Sequence, residues 1–440
     1  MYLSQKVALN TIVQITTKVV TVLFGFLTMV ILTRYLGSEG YGNYMYVLTL
    51  VVLFGGFADW GTATIGVREA SKNEEKQSLI LSNIFLIRLI LALLGGLLML
   101  LASFCLPLKT AHELLVRQGI LFGSLILVLF ALKASFGIIF QTKLQIYKLA
   151  IADIVASILV FLISWFFIKS QLGLVYLIIA VVLANMVAVV LAAILAVKTI
   201  KFKFQIRWPM IKDFLKESWP MGAILLLLTL DNKIDTVMLG LIKGSSAVGI
   251  YAVAYRIYDV LILGAAYLMG SLLPVLSQYG DLQKWQEKIR VIYQKSFDVL
   301  LMMGLGAFLF AFLFSPFIIR LITQERFAEF FPSTSVVRIL SLAIFLSYFN
   351  HLTGYTVVAL GKQRWYFLVA SSALAFNVLA NLLVIPQFSY YGAAMVTVLT
   401  EGLILVITSF FIFRLIKIIP TFRGAPKTLI SLIKKRGKIF

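Results

Sequence analysis

The sequence predicts an all-α polytopic membrane protein of about twelve transmembrane helices, and three observations carry that reading. Hydrophobic residues make up 61% of the 440 and charged ones 13%, with a mean hydropathy of +1.00. That is more apolar side chain than a soluble chain of this length can hide. Apolar stretches of the roughly 20 residues that span a bilayer recur from end to end, separated by short polar gaps. One of those gaps is repeated: GSEGYGNY at Gly37–Tyr44 returns as GSSAVGIY at Gly244–Tyr251.

The first span, 8–32, is longer than the apolar region of a signal peptide and lacks a small-residue cleavage site, so it reads as a retained helix. It carries a polar stripe, Asn10, Gln14, Thr17, Lys18 and Thr21, whose spacing of 3 or 4 puts all five on one face. The second span, 42–62, follows the GSEG corner. The third, 79–102, contains Arg88, and the fourth, 114–138, contains Lys133. The fifth and sixth, 149–168 and 172–197, complete an N-terminal lobe, 1–197. The basic stretch 198–218 reads as a cytoplasmic linker to a C-terminal lobe, 219–416. There the seventh span, 219–242, is apolar until Asp231, Lys233 and Asp235. The eighth, 247–276, holds Arg256 and Asp259, three apart and able to neutralise each other. The ninth and tenth are 293–321 and 333–360. The eleventh, 365–385, has Asn377 and Asn381 four apart, and the twelfth, 391–416, has Glu401 near its middle. The tail, 417–440, mixes Leu429, Ile430, Leu432 and Ile433 with basic residues, a composition suited to lying on the anionic lipids of the cytoplasmic leaflet or to a disordered tail.

Charge sets the orientation. Of 39 Lys and Arg, 26 fall on the N-terminal side when loops are assigned alternately, eight fall on the other side, and five lie inside spans. The positive-inside rule then makes both termini cytoplasmic. The net charge of +21 is thereby explained as a topology signal, and nucleic acid is not expected as a partner. Cys105 is the lone cysteine, so no intrachain disulfide forms, and His112 and His351 lack a second ligand in spacing. No metal or cofactor is expected.

The repeat pairs Gly37 with Gly244, Ser38 with Ser245, Gly42 with Gly249 and Tyr44 with Tyr251. It recurs more faintly as Lys143/Lys362, Tyr147/Tyr366 and Gly173/Gly392. Six helices per half is an even number, so both halves enter the bilayer from the same side. Parallel repeats of that kind predict two bundles around a central, V-shaped cavity. The repeated glycines suit tight corners and close approach, because the spacing is not that of a phosphate-cradling loop and no strand precedes it.

LTRYLGSEGYGNY with FADWGTATIGVREAS, then DNKIDTVMLGLIKGSSAVGIYAVAYRIYDVL, then NLLVIPQFSYYGAAMVTVLTE, resemble the O-antigen type of polysaccharide repeat-unit flippase, within the multidrug/oligosaccharidyl-lipid/polysaccharide exporter superfamily. The resemblance runs from about Thr11 to Arg414. It implies a two-lobed, twelve-helix transporter in the bacterial cytoplasmic (inner) membrane. Its substrate would be an undecaprenyl-diphosphate-linked oligosaccharide, moved to the outer leaflet by alternating access and passed towards a polysaccharide polymerase machinery. The runner-up is a multidrug/cation antiporter of the same fold. A membrane enzyme is not expected, since no nucleophile, metal cluster or nucleotide loop is visible.

The residues suit that cargo. A charge at the bilayer centre costs roughly 2.5 to 3.5 kcal/mol, so cations in spans need protein or a wet cavity around them. Lys18, Arg88, Lys133, Lys233 and Arg256 are the candidates for meeting a diphosphate, with Gln14, Asn377 and Asn381 for sugar hydroxyls. Each cation could instead form a structural ion pair or snorkel. Asp231, Asp235 and Glu401 are candidates for ion coupling, because burial and nearby cations pull a carboxyl in opposite directions, and a purely structural network of the two aspartates with Lys233 is the alternative. Asp59, Asp153 and Asp298 fall close to cytoplasmic ends and are given no role.

Overall fold

A computed structural model describes residues 3–72, 75–105, 109–200, 204–279 and 282–421. In chain order its helices are α1 (Leu3–Asp59), α2 (Thr62–Lys72), α3 (Gln77–Cys105), α4 (Glu113–Thr142), α5 (Tyr147–Lys169), α6 (Leu174–Val197), α7 (Trp208–Lys243), α8 (Ser245–Leu261), α9 (Leu263–Gln278), α10 (Leu282–Thr323), α11 (Phe327–Ala359) and α12 (Gln363–Ile416). Every predicted span is helical, but spans and helices do not correspond one to one. The first two spans join in α1, where only Gly37, at φ 68°, leaves helical geometry. That left-handed φ is open to glycine at little steric cost, so a single residue turns the corner that hydropathy marks as a loop. The last two spans join in α12 through Ser389, at φ 51°, three residues after Pro386. The eighth span divides at Ile262 into α8 and α9. Helix α7 begins at Trp208, inside the stretch read as linker, with Pro209 in its first turn where the missing N–H costs nothing. Most of the tail, including Leu429 to Ile433, lies outside the described residues.

Eight described helical stretches are long and apolar enough to cross a membrane; three of them each hold two predicted spans, and α7, with the seventh span and its Asp231, Lys233 and Asp235, is not among the eight. Their outer faces are apolar: Leu93, Leu97 and Leu101 on α3, and Leu379, Leu382 and Leu383 on α12, are each more than half exposed. Such stripes suit hydrocarbon, not water.

The chain divides into two compact units, Met1–Gly249 and Ile250–Phe440. In the first, α1 packs on α3, α4, α5 and α7, and α4 packs on α3 and α6. Helix α6 approaches α4 and α5 closely because Ala180, Ala184, Ala188, Ala192 and Ala196 recur every fourth residue and are all essentially inaccessible. In the second unit α11 lies against both α10 and α12, and α9 packs on α10 and α11.

The two copies of the repeated motif touch, and the contact lies within the first unit. A Cβ placed on Gly42 would overlap the Ser245 carbonyl oxygen and lie 2.9 Å from the Gly249 backbone nitrogen. A Cβ on Gly249 would overlap the Ser38 carbonyl oxygen and lie 3.1 Å from the Gly42 nitrogen. The arrangement is reciprocal, each glycine receiving the other copy's backbone. Ser38 Oγ and Ser246 Oγ, 3.1 Å apart, share a hydrogen bond across it.

Candidate functional site

In the first unit, Arg88 is the most enclosed of the candidate cations, at 4% exposure on α3. Its Nη2 stands 3.2 Å from Asp59 Oδ1 at the end of α1, an ion pair whose angle makes no hydrogen bond. Nε and Nη1 of Arg88 are buried with no hydrogen-bond partner. Asp59 is 35% exposed, so the pair reaches the surface through its acid. The arrangement is a buried fork of donors with unused capacity, next to a carboxylate that is partly exposed although the Oδ1 facing the fork is buried.

Lys133 on α4 is more fully engaged. Its Nζ pairs with Asp153 of α5 at 2.8 Å and sits 5.3 Å from the centre of the Phe130 ring. Asp59 and Asp153, assigned no role from sequence, are therefore the partners of two of the candidate cations. Depth along an apolar run placed them near helix ends, and linear spacing says nothing about which neighbouring helix they face.

On α1 the polar stripe splits. Gln14 and Lys18 are exposed, whereas Asn10 is buried and donates through Nδ2 to the Leu144 carbonyl, in the turn between α4 and α5, at 2.9 Å. Thr17 bonds back to Val13 of its own helix. Lys18 forms no ion pair among the described residues. On α7, Asp231 and Lys233 are half-buried and Asp235 is buried, its Oδ1 accepting the Thr236 backbone N–H at 2.6 Å.

In the second unit, Arg256 on α8 is half-buried and makes no ion pair among the described residues. Spacing of three permits a contact with Asp259 on one helix face, but the two form no ion pair with each other. Asn377 and Asn381 are buried and bonded to each other, Nδ2 of Asn381 donating to Oδ1 of Asn377 at 2.8 Å. Oδ1 of Asn381 is buried with no hydrogen-bond partner.

Glu401 on α12 gathers a polar cluster in the second unit. Tyr258 of α8 donates to its Oε1 at 2.6 Å, and Asn350 of α11 donates to its Oε2 at 2.5 Å and to its carbonyl at 2.8 Å. Ser347 lies 3.5 Å beyond the tyrosine hydroxyl, and His351 Nδ1 is 2.7 Å from the Ser347 carbonyl. Tyr258 and Asn350 could not be found by sequence reasoning, because a tyrosine and an asparagine within apolar helices carry no charge signal. Replacing Glu401 with leucine leaves the buried Tyr258 hydroxyl only its long contact to Ser347, while Asn350 keeps the backbone carbonyl, at a cost of about 2–3 kcal/mol. Glutamine retains an acceptor and is expected to cost about 1 kcal/mol. Thermal unfolding in detergent checks this, and equal melting temperatures for the leucine and glutamine variants would show that the cluster does not hold α8, α11 and α12 together.

The sequence model of a family described as polysaccharide biosynthesis protein matches residues 7–280, and one described as MatE matches residues 220–383. The probable flippase AglR of Haloferax volcanii is 26% identical over 170 residues, 39% of this chain and 35% of that protein. The alignment thus spans about a third of that relative's length. A multidrug resistance MATE family transporter of the MOP superfamily, solved in an inward-facing conformation, superposes with a TM-score of 0.73 at 16% identity, covering 92% of this chain and 99% of that one. The lipid II flippase MurJ in an inward closed conformation gives 0.73 at 15% identity, covering 97% and 93%. These likenesses show the fold, an all-α polytopic membrane protein of the MOP type.

Proposed function

The chain belongs to the polysaccharide biosynthesis protein family, and from that premise we propose that it is a flippase for an undecaprenyl-diphosphate-linked oligosaccharide. In this reading the protein sits in a bacterial cytoplasmic membrane with both termini in the cytoplasm. It carries the repeat unit to the outer leaflet by alternating access and feeds surface polysaccharide assembly. The observation that carries the proposal is the surplus of cationic donors within the helices. Arg88 has two guanidinium nitrogens without acceptors, and Lys18 has no carboxylate partner among the described residues. A diphosphate offers several acceptor oxygens and full charge, which suits a planar fork and a point charge together. Lys233 joins them as a third candidate contact, and Gln14 suits a sugar hydroxyl. The polymerase machinery is the expected recipient of the flipped unit.

A multidrug/cation antiporter is the competing reading, supported by the MatE match over 220–383 and by the enclosed carboxylate of Glu401. The experiment that separates the two is complementation. In cells lacking their own repeat-unit flippase, this chain is expected to restore surface polymer, measured per membrane-inserted protein. Lys18→Gln should lower the yield at least about tenfold, the equivalent of one charge-assisted hydrogen bond. Drug resistance without polymer would overturn the flippase assignment in favour of the antiporter.

A further inference from the structure

The second unit contains a cavity of about 550 Å³ that the proposed translocation step does not use. It lies between α10, α11 and α12, and its walls are Phe297, Phe345, Phe349, Leu352, Phe410 and Phe413. The rings of Phe297 and Phe345 each lie 5.1 Å from that of Phe349, forming a continuous aromatic floor. Phe410 and Phe413 are about half exposed, so the cavity opens sideways along α12 as a groove. Thr353 offers no free polar group there, because its hydroxyl is bonded to Thr408 at 2.8 Å. Ser409 is the other polar residue of a lining that is otherwise almost wholly apolar, and the volume is that of a small-ligand site better suited to hydrocarbon than to sugars or ions.

One end of the groove is built and charged. The segment after α12 folds across it, with Ile418, Ile419 and Pro420 in the lining. Gln294 of α10 holds this strap by a two-way amide clamp, Nε2 donating to the Thr421 carbonyl at 2.8 Å and Oε1 accepting the Thr421 N–H at 2.9 Å. Arg290 adds a bond from Nε to the Ile416 carbonyl at 2.7 Å. The Arg414 guanidinium stands 4.7 Å from the centre of the Phe410 ring, at the groove's edge, and Lys417, the residue that caps α12 before the strap, is exposed. An apolar slot with a cationic rim matches a lipid that has a long hydrocarbon chain and an anionic head.

We propose that this groove seats the first isoprene units of a polyprenyl phosphate lipid, with Arg414 and Lys417 meeting its phosphate. The proposal rests on the flippase reading and adds to it a loading site for the cargo's tail on the C-terminal, basic side of the membrane, where the cargo is made. Two other occupants fit less well, one by charge and one by shape. Residues 422–440 of this chain carry six Lys and Arg and no acid, so the rim repels them. A phospholipid supplies the anion, but its unbranched chains do not exploit the aromatic floor as the flat, branched isoprene unit does.

The full-length protein in nanodiscs of phosphatidylglycerol and phosphatidylethanolamine can be labelled with a polyprenyl monophosphate bearing a diazirine near its phosphate. Labelling is expected in the peptides around Phe349 and Phe410, and it should be competed by unlabelled polyprenyl phosphate but not by added phosphatidylglycerol. Ser409→Trp, which fills the slot from an exposed position, should abolish it, and Arg414→Gln should weaken it about tenfold through loss of one charged contact. Equal competition by phosphatidylglycerol, labelling elsewhere, or crosslinking of residues 422–440 into the groove would each overturn the proposal. Competition on the unaltered protein needs no variant to fold. Surface polymer in complemented cells is scored in parallel: polymer without specific labelling rejects the groove and leaves the flippase reading standing. Labelling without polymer rejects that reading, and with it a role for the groove in cargo loading.

Discussion

Alanine at Gly42 is expected to force apart the two copies of the repeated motif and to stop transport. The methyl group would overlap the backbone carbonyl of Ser245, which no rotamer change can relieve. Only separation of the 38–42 and 245–249 backbones makes room. Overpacking of this kind costs about 3 kcal/mol, enough to move a two-state equilibrium by about two powers of ten. The reciprocal substitution, Gly249→Ala, meets the Ser38 carbonyl and should act the same way. Because one separation relieves both clashes, the double variant should cost little more than either single one. The measurement uses the neighbouring hydroxyls: Ser38 and Ser246, with Oγ atoms 3.1 Å apart, are replaced by cysteines in a Cys105→Ser background and oxidised. Near-complete crosslinking is expected with Gly42 intact, and at least a tenfold slower reaction with alanine there. Undiminished crosslinking in the Gly42→Ala protein would show that the contact is loose and that the repeat has no part in holding this conformation.

That contact also shows how far sequence reasoning reached. The repeat was legible, because identical residues recur in one order, and glycine at a corner implies close approach. Its meeting partner was not, since self-similarity predicts equivalent positions in two halves and says nothing about whether they touch. The spans were legible from the length of apolar runs, yet the corners at Gly37 and Ser389 were read as loops where one residue suffices. Hydropathy averages over a window and cannot distinguish a one-residue turn from a short loop. Among site residues, Arg88 and Lys133 could be picked out because a charge within an apolar run is conspicuous. Their partners Asp59 and Asp153 were passed over because an acid near a helix end is easily solvated. Glu401 was visible as an isolated carboxylate, whereas Tyr258 and Asn350, which hold it, become meaningful only when α8, α11 and α12 are brought together.

Arg88 gives the sharpest separation between a structural and a functional role for a buried cation. If its pairing with Asp59 served stability, Arg88→Met would leave an acid without its partner and cost about 3–5 kcal/mol. The geometry predicts otherwise. Asp59 is 35% exposed and can be hydrated once the arginine is gone, while the buried Nε and Nη1 already bear a desolvation cost that no acceptor offsets. Methionine, of similar length and apolar, should therefore fold within about 1 kcal/mol of the parent. Transport should nevertheless fall by about two powers of ten, because a diphosphate would lose two charge-assisted bonds of about 1.5 kcal/mol each. Arg88→Lys keeps the charge without the fork and should recover only part of the activity. In this scheme Asp59 is a resident counter-ion that the cargo displaces, so Asp59→Asn should tighten cargo binding and slow its release. The measurements are melting temperature in detergent and surface polymer normalised to inserted protein, taken on the same preparations. An Arg88→Met protein that melts normally and sustains full polymer would remove Arg88 from the cargo path, leaving Lys18 and Lys233 as the cationic contacts of the first unit.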